Sequence, residues 1–289
     1  MKLSVMTLSM LFMAEFKYSV DHDEEDYEEF YDEMMQMISD CGYHAVDVCF
    51  ETNVLSADKI RAILDRYGLS VSSYIYMGQF AAEKNSPEEI EKAKKAADLA
   101  VALGTKVLML VPQAYEGIEA CPAAEIQERL ISNFTPVCSY ARERGLHVVI
   151  EDTPDLRLHL CSAQDVERVL CAVPGLELVY DSGNMILVGE DPAEYYHIFE
   201  NCTAHIHLKD MRKVPENEPA PQFSDISLVG DRYVTAPTGT GEIDLKRVVR
   251  AVQDSGYDGY MTVEFQVDGD GDYRKSLIRC RDYVESMGD

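Results

Sequence analysis

The chain of 289 residues has no tryptophan, seven histidines, and half as many basic as acidic residues: 26 against 52, a formal net charge of −26. A chain so acidic repels phosphate backbones and anionic lipid except at a local patch, which argues against nucleic-acid and membrane partners. It has no run of 18 apolar residues, so no membrane span is expected. The opening MKLSVMTLSMLFMAEFKYSV has one early lysine and an apolar stretch but no small-residue cleavage site. It therefore reads as a first strand and its loop rather than a secretory leader. Eight scattered cysteines form no CxxC pair. That excludes zinc ribbons and thioredoxin-type motifs, and suits reduced thiols in a cytoplasmic protein. Without tryptophan, stacking on a ring-shaped ligand falls to Phe12, Tyr76 or Phe265.

What is present is a globular composition, 46% hydrophobic and 27% charged. Short apolar, β-rich runs occur at 3–8, 45–50, 69–76, 106–111, 147–151, 176–181, 203–208 and 260–265. Helical periodicity fills 26–40, 57–67, 87–103, 123–144, 163–171, 192–199, 245–255 and 273–287. Strand then helix, eight times, predicts an α/β fold closed into a (β/α)8 TIM barrel, a single domain over 1–289. Glycines 42, 68, 104, 145 and 256 stand where helices should stop before the next strand. Ser86-Pro87 and Asp191-Pro192 are capping residues followed by first-turn prolines. An open doubly wound sheet fits less well, because no GxGxxG follows the first strand. The stretch 211–242 holds four prolines and no helical period, and reads as a long functional loop after strand seven, with a small hairpin at 228–236. The acid-rich stretch 21–33 reads as the solvated start of the first helix.

Barrel active sites form at the C-terminal ends of the strands. Strand five ends at Glu151, six at Asp181, seven near His207 and eight near Glu264. Any one alone reads as a helix cap or loop anchor; four from consecutive strands point to one divalent cation. Three carboxylates and an imidazole suit Mn²⁺ first, with Mg²⁺, Co²⁺ or Zn²⁺ as alternatives; a structural zinc would prefer Cys and His. His205, two residues before His207, points into the barrel one layer deeper and reads as a hydrogen-bonded core histidine. Glu51 after strand two either binds substrate hydroxyls or caps. Lys209, Arg212 and Lys213 either hold an anion or pair with neighbouring acids. The turn 238–241 before a helix invites a phosphate but lacks the GK[ST] ending of a P-loop, and a cap by Asp244 explains it equally well. The apolar loop 9–16, with Met10, Phe12 and Phe16, could line one wall of the mouth.

E-D-T-P at 151–154, Y-D-S-G-N at 180–184, H-I-H-L-K-D at 205–210, G-T-G-E-I-D at 239–244 and G-Y-D-G-Y-M-T-V-E-F at 256–265 resemble the sugar phosphate isomerase/epimerase superfamily, the xylose-isomerase-like barrels. The resemblance covers nearly the whole chain and is densest from Gly145 to Phe265. G-Y-H-A-V-D at 42–47 is similar to the second-strand motif, with Asp47 where Glu is more usual. The resemblance implies that Glu151, Asp181, His207 and Glu264 bind one divalent metal, and that Glu151 and Glu264 also shuttle protons. It implies Lys209 and Asp210 as site neighbours, and we place Asn184, Phe12 and Glu51 with them as substrate contacts. Two departures stand out: Asp152-Thr153 where Asn-His is common after the strand-five Glu, and Gly183 where ketose epimerases usually carry a histidine.

The expected activity is a metal-dependent isomerase or epimerase on a sugar or keto-polyol, acting through a metal-stabilised enediolate. The alternative is a lyase using the same proton abstraction, dehydrating a keto-inositol or cleaving 3-keto-glycosides, C-glycosides included. An AP-endonuclease-like repair enzyme would need a histidine-rich metal cluster and a basic groove, against which the seven histidines and the charge speak. A homo-oligomer or a partner subunit is compatible with catalysis.

Overall fold

A computed structural model describes residues 2–11, 24–219, 221, 223–267 and 271–287. The strands are β1 (Lys2–Met6), β2 (Ala45–Val48), β3 (Ser70–Gly78), β4 (Val107–Pro112), β5 (His147–Glu151), β6 (Leu176–Asp181), β7 (Thr203–Lys213), β8 (Asp225–Ile226), β9 (Arg232–Ala236) and β10 (Tyr260–Glu264). The helices are α1 (Leu8–Leu11), α2 (Glu24–Asp40), α3 (Ala57–Arg66), α4 (Pro87–Leu103), α5 (Ala123–Arg142), α6 (Ala163–Ala172), α7 (Pro192–Phe199), α8 (Leu245–Asp254) and α9 (Tyr273–Glu285). Strands β1 to β7 pair in parallel in sequence order, and β10 pairs with both β1 and β7, which closes an eight-stranded barrel.

The expected punctuation fixes the helices. Ser86 and Asp191 cap α4 and α7 through the amides of Glu89 and Glu194, each before a first-turn proline. At the other end of α4, Gly104 takes φ 82°, a left-handed conformation that a side chain would resist. The alternation of each strand sends one set of side chains outward to the helices and the other into the barrel. Leu3, Val5, Val46, Val48, Leu108, Leu110, Ile206 and Leu208 join the outer core under the helices. Met6, Cys49, Ile75, Met109, Val149 and Val179 fill the barrel interior.

Three boundaries differ from the sequence reading. The first strand stops at Met6, and Leu8–Leu11 form a short helix whose Met10 is fully buried in the outer core rather than at the mouth. Strand seven runs on to Lys213, where Asp210–Lys213 pair antiparallel with β9. The stretch 211–242 is thus partly sheet, and its hairpin is β8–β9, turned through Ser227–Asp231. Among the described residues no helix is long and apolar enough to cross a membrane.

Candidate active site

The ends of β5, β6, β7 and β10 bring Glu151, Asp181, His207 and Glu264 together: one ligand atom from each lies within 4.8 Å of all the others. Register explains the convergence. A bulge between Leu178 and Val179 lets Thr203 and His205, not Thr203 and Ala204, face β6, so His205, His207 and Lys209 all point inward. His207 Nδ1 lies 2.6 Å from Glu151 Oε1, and its Nε2 lies 3.0 Å from Asp47 Oδ2. Burial opposes charge on this imidazole, but Glu151 and Asp47 outweigh it and hold its pKa well above the ordinary histidine value.

Asp181 is fully buried. Its Oδ1 accepts the amides of Gly183 (2.7 Å) and Asn184 (3.0 Å), while Oδ2 has no hydrogen-bond partner among the described residues. Burial, reinforced by Glu264 and Glu151 and opposed by Lys209, pushes Asp181 up to about 7. An orphaned carboxylate oxygen, two further carboxylates and an imidazole nitrogen within one cation's reach are a donor set that fits a divalent metal.

Lys209 lies among these acids. Its Nζ donates to Glu264 Oε1 at 2.9 Å and to Asn184 Oδ1 at 3.2 Å, and stands 3.7 Å from Asp181 Oδ2. Burial would discharge it, yet Asp181, Glu264 and Glu151 keep its pKa well above the ordinary lysine value. Gly183 explains the missing histidine: a Cβ there would stand 2.8 Å from Lys209 Cδ and 2.9 Å from Met211 Cγ. Bare backbone at 183 is what lets the lysine stem lie across β6.

Glu151, Lys209 and Glu264 face a cavity of about 250 Å³ at the barrel mouth. Thr153 lines it too, whereas Asp152 turns back, its Oδ1 accepting the Asp181 amide at 3.2 Å.

The remaining expected contacts fall elsewhere. Asn184 is buried under the floor, its Nδ2 donating to the Asp152 carbonyl at 2.6 Å; it positions Lys209 rather than touching the cavity. Asp210 is a loop anchor: its carboxylate accepts the amides of Met211, Gly239, Gly241 and Ile243. Those amides are therefore taken, which closes the phosphate reading of the 238–241 turn, and Asp244 caps α8 as the sequence allowed. Glu51 is fully buried: one carboxylate oxygen accepts the Cys49 amide at 2.7 Å, and Oε1 has no hydrogen-bond partner among the described residues. Tyr76 faces α4 and donates to Glu89, leaving the mouth, while Phe265 lines a second cavity. Phe12 and Phe16 lie outside the described residues. Arg212 and Lys213 pair with Glu218 and Asp231.

Sequence reading gave Asp47 no role beyond its motif. Its Oδ2 accepts from both His205 Nε2 (2.9 Å) and His207 Nε2, and its Oδ1 accepts from Ser72, the residue skipped at the β2–β3 bulge. Burial opposes ionisation, but His205 and His207 hold this carboxyl well below the usual range. With Nε2 tied to Asp47, Nδ1 is the nitrogen that His207 offers to the site. The signal lay in two inward-facing positions on different strands, Asp47 and His205, whose pairing only the closed barrel reveals.

Residues 35–283 match the family model described as xylose isomerase-like TIM barrel. The inosose dehydratase of Lacticaseibacillus casei is 26% identical over 220 residues, covering 72% of this chain and 73% of the relative. The crystal structure of a xylose isomerase-like TIM barrel protein from Mycobacterium smegmatis in complex with magnesium superposes with TM-score 0.73 at 16% identity, over 99% of this chain and 96% of that one. The 3-keto-D-glucoside 4-epimerase of E. coli does so with TM-score 0.69 at 13% identity, over 99% of each chain. At such identities the structures speak for the fold, and the sequence match extends it through β2 to α9. The closed barrel and this match agree: the chain belongs to the xylose isomerase-like TIM barrel family.

Proposed function

We propose that the protein is a divalent-metal-dependent enzyme that takes a proton from the carbon beside the carbonyl of a sugar or keto-polyol, as an isomerase or epimerase. The observation that carries this reading is the convergence of Glu151, Asp181, His207 and Glu264, with Glu151 and Glu264 also facing the mouth cavity. A cation held by those four groups would polarise the carbonyl and stabilise developing negative charge on its oxygen. Asp181, fixed by two backbone amides, and His207, fixed by Asp47, are the rigid members of the set. Glu151 and Glu264 are the partly exposed members, and carry the proton: one removes it from carbon, the other returns it to the opposite face. Lys209, held charged, donates to a substrate oxygen.

A second reading, a lyase, has its own support. The L. casei relative is named inosose dehydratase, and Lys209 stands 2.9 Å from Glu264. In that reading Glu264 takes the proton and its electron pair forms a C=C bond. The C–O bond on the next carbon breaks, Lys209 protonates the departing oxygen, and Glu264 passes its proton back to Lys209. The atoms balance as substrate to enone plus water or alcohol.

The test is incubation with Mn²⁺ in deuterated water of a panel of ketoses, a keto-inositol and 3-keto-glycosides. Deuterium uptake into recovered substrate or its epimer supports the first reading; enone with released water or alcohol supports the second. Glu151→Gln and Glu264→Gln should each lower turnover by about 10²–10⁴ with the circular dichroism spectrum unchanged. Full turnover in either variant removes that carboxylate from the mechanism.

A further inference from the structure

The 250 Å³ cavity at the barrel mouth is apolar on one side, where Met6, Ile75, Met77, Met109 and Val111 line it. A substrate hydroxyl pressed against that side loses its water and meets no better partner than a thioether sulfur. Hydroxyls must therefore find their partners on the opposite side or at the rim. The opposite side offers Glu151, Lys209 and Glu264, which the proposed chemistry already uses, and the rest of the polar lining is Gln113, Thr153 and Asp155.

The β8–β9 hairpin supplies the rim. Phe223, just before β8, and Thr235 of β9 line a second cavity of about 450 Å³, which shares Met6, Leu8 and Glu264 with the first and has Ser9 and Gln266 as further polar members. Asp225 stands beside both hairpin residues: it follows Phe223 by two positions, and its register partner Tyr233 precedes Thr235 by two. Asp225 is half-buried, and among the described residues its carboxylate has no hydrogen-bond or ion-pair partner. Burial raises its pKa, Lys209 opposes the rise, and Glu264 and Asp155 reinforce it. Those three groups all line the first cavity, so the carboxylate lies within electrostatic reach of the mouth.

The cations of this region are engaged elsewhere. Lys209 donates to Glu264, Arg157 pairs with Asp155 and Glu119, and Arg212 pairs with Glu218. Arg232, opposite Ile226 in the hairpin ladder, donates to Ser224. An anionic group brought to the rim thus meets the uncompensated charge of Asp225. A hydroxyl brought there meets a carboxylate with lone pairs to spare, and can make a charge-assisted hydrogen bond.

We infer that Asp225 is a specificity-determining residue: its carboxylate accepts a substrate hydroxyl at the rim of the mouth, and so favours a neutral polyhydroxy substrate over a phosphorylated or carboxylated one. That a substrate hydroxyl comes there rests on the proton-abstraction reading above; the unpartnered carboxylate and its place at the rim do not. Calorimetry on the Mn²⁺-loaded protein at low ionic strength measures affinity for a keto-inositol, D-fructose and inorganic phosphate. Asp225→Ala should weaken binding of the better-bound neutral compound about tenfold, the worth of one hydrogen bond to a charged group. Asp225→Asn, close to isosteric and still an acceptor, should recover part of that loss. Both variants remove a negative charge and should each tighten inorganic phosphate at least about threefold. Neutral-compound affinity unchanged in Asp225→Ala overturns the inference, as does phosphate affinity unchanged in both variants, or a parent protein that binds neither neutral compound. Neutral binding with the expected dependence on Asp225, but with no deuterium uptake and no enone, would instead sink the proton-abstraction reading and leave the role of Asp225 standing.

Discussion

Asp47 shows how a residue outside the candidate ligand set fixes one of its members, His207. One carboxylate oxygen accepts from two imidazoles, His205 at 2.9 Å and His207 at 3.0 Å, and both rings are fully buried. An asparagine could keep one oxygen between the two rings, but it removes the negative charge that faces them and turns its amide N–H groups toward the Ser72 hydroxyl that now donates to Asp47. Asp47→Asn should therefore weaken Mn²⁺ binding by about 10–100-fold, the usual cost of disturbing a ligand's orienting partner. Calorimetric titration of the metal-free protein measures this directly. Unchanged affinity beside a lowered Tm would show that Asp47 serves folding alone. Three of the four candidate ligands, Glu151, Asp181 and Glu264, were legible in the sequence because each is the last residue of a strand that the βα rhythm already marks. Asp47 was not, since its two partners lie more than 150 positions away and meet it only across the closed barrel. Glu51, Asn184 and Asp210 lie off the described lining of the mouth cavity for a related reason. A strand end can be read from sequence, but the direction in which the following loop folds back cannot, and that direction decides whether a carboxylate meets substrate or backbone amide.

Among the elements, the antiparallel pairing of β7 with β9 depends on one such amide cluster. Asp210 accepts four backbone N–H groups, three of them from the turn that leads into α8. The turn comes this close because it is glycine there: a Cβ on Gly241 would stand 2.1 Å from Asp210 Oδ1 and 2.5 Å from the Met211 carbonyl. Asp210→Ala strands several amides at once, each costing on the order of 1–3 kcal/mol if buried and partly recovered by water. We expect a loss of about 3 kcal/mol in urea unfolding, with hydrogen exchange quickened at Gly239, Gly241 and Ile243. A stability within about 0.5 kcal/mol of the parent would show that water replaces the carboxylate fully. Helix bounds needed no such tertiary knowledge. Pro87 and Pro192 start α4 and α7 where predicted, since a proline in the first turn forfeits no helical hydrogen bond. The extension of β7 to Lys213 escaped notice because prolines beyond it made the whole stretch look irregular.

At the scale of the molecule the charge decides. Acidic residues outnumber basic ones two to one, 52 against 26. Surface pairs such as Lys59 with Glu24 and Glu28, or Arg247 with Asp191, are solvent-exposed, contribute little and weaken with salt. The unpaired excess repels across the whole surface, and this repulsion is screened by the same salt. The imbalance means repulsion wins. Raising sodium chloride from about 0.01 M to about 0.15 M, which shortens the screening length from about 30 Å to about 8 Å, should raise Tm by about 2–4 °C. Scanning calorimetry of the metal-free protein checks it, and a Tm that falls would mean that the surface pairs outweigh the excess.

The division of the barrel's interior has a stereochemical corollary. With Met6, Ile75, Met77, Met109 and Val111 of β1, β3 and β4 on one side of the mouth cavity and Glu151, Lys209 and Glu264 of β5, β7 and β10 on the other, the mouth has a greasy flank and a wet flank. A guest with one hydrocarbon end has only one comfortable compass bearing about the barrel axis. Turning it half round would set its oxygens against sulfur and methyl and its carbon skeleton against carboxylate. Under the proposed proton transfer, handedness at the reacting carbon would be inherited from the scaffold, before either glutamate moved a proton.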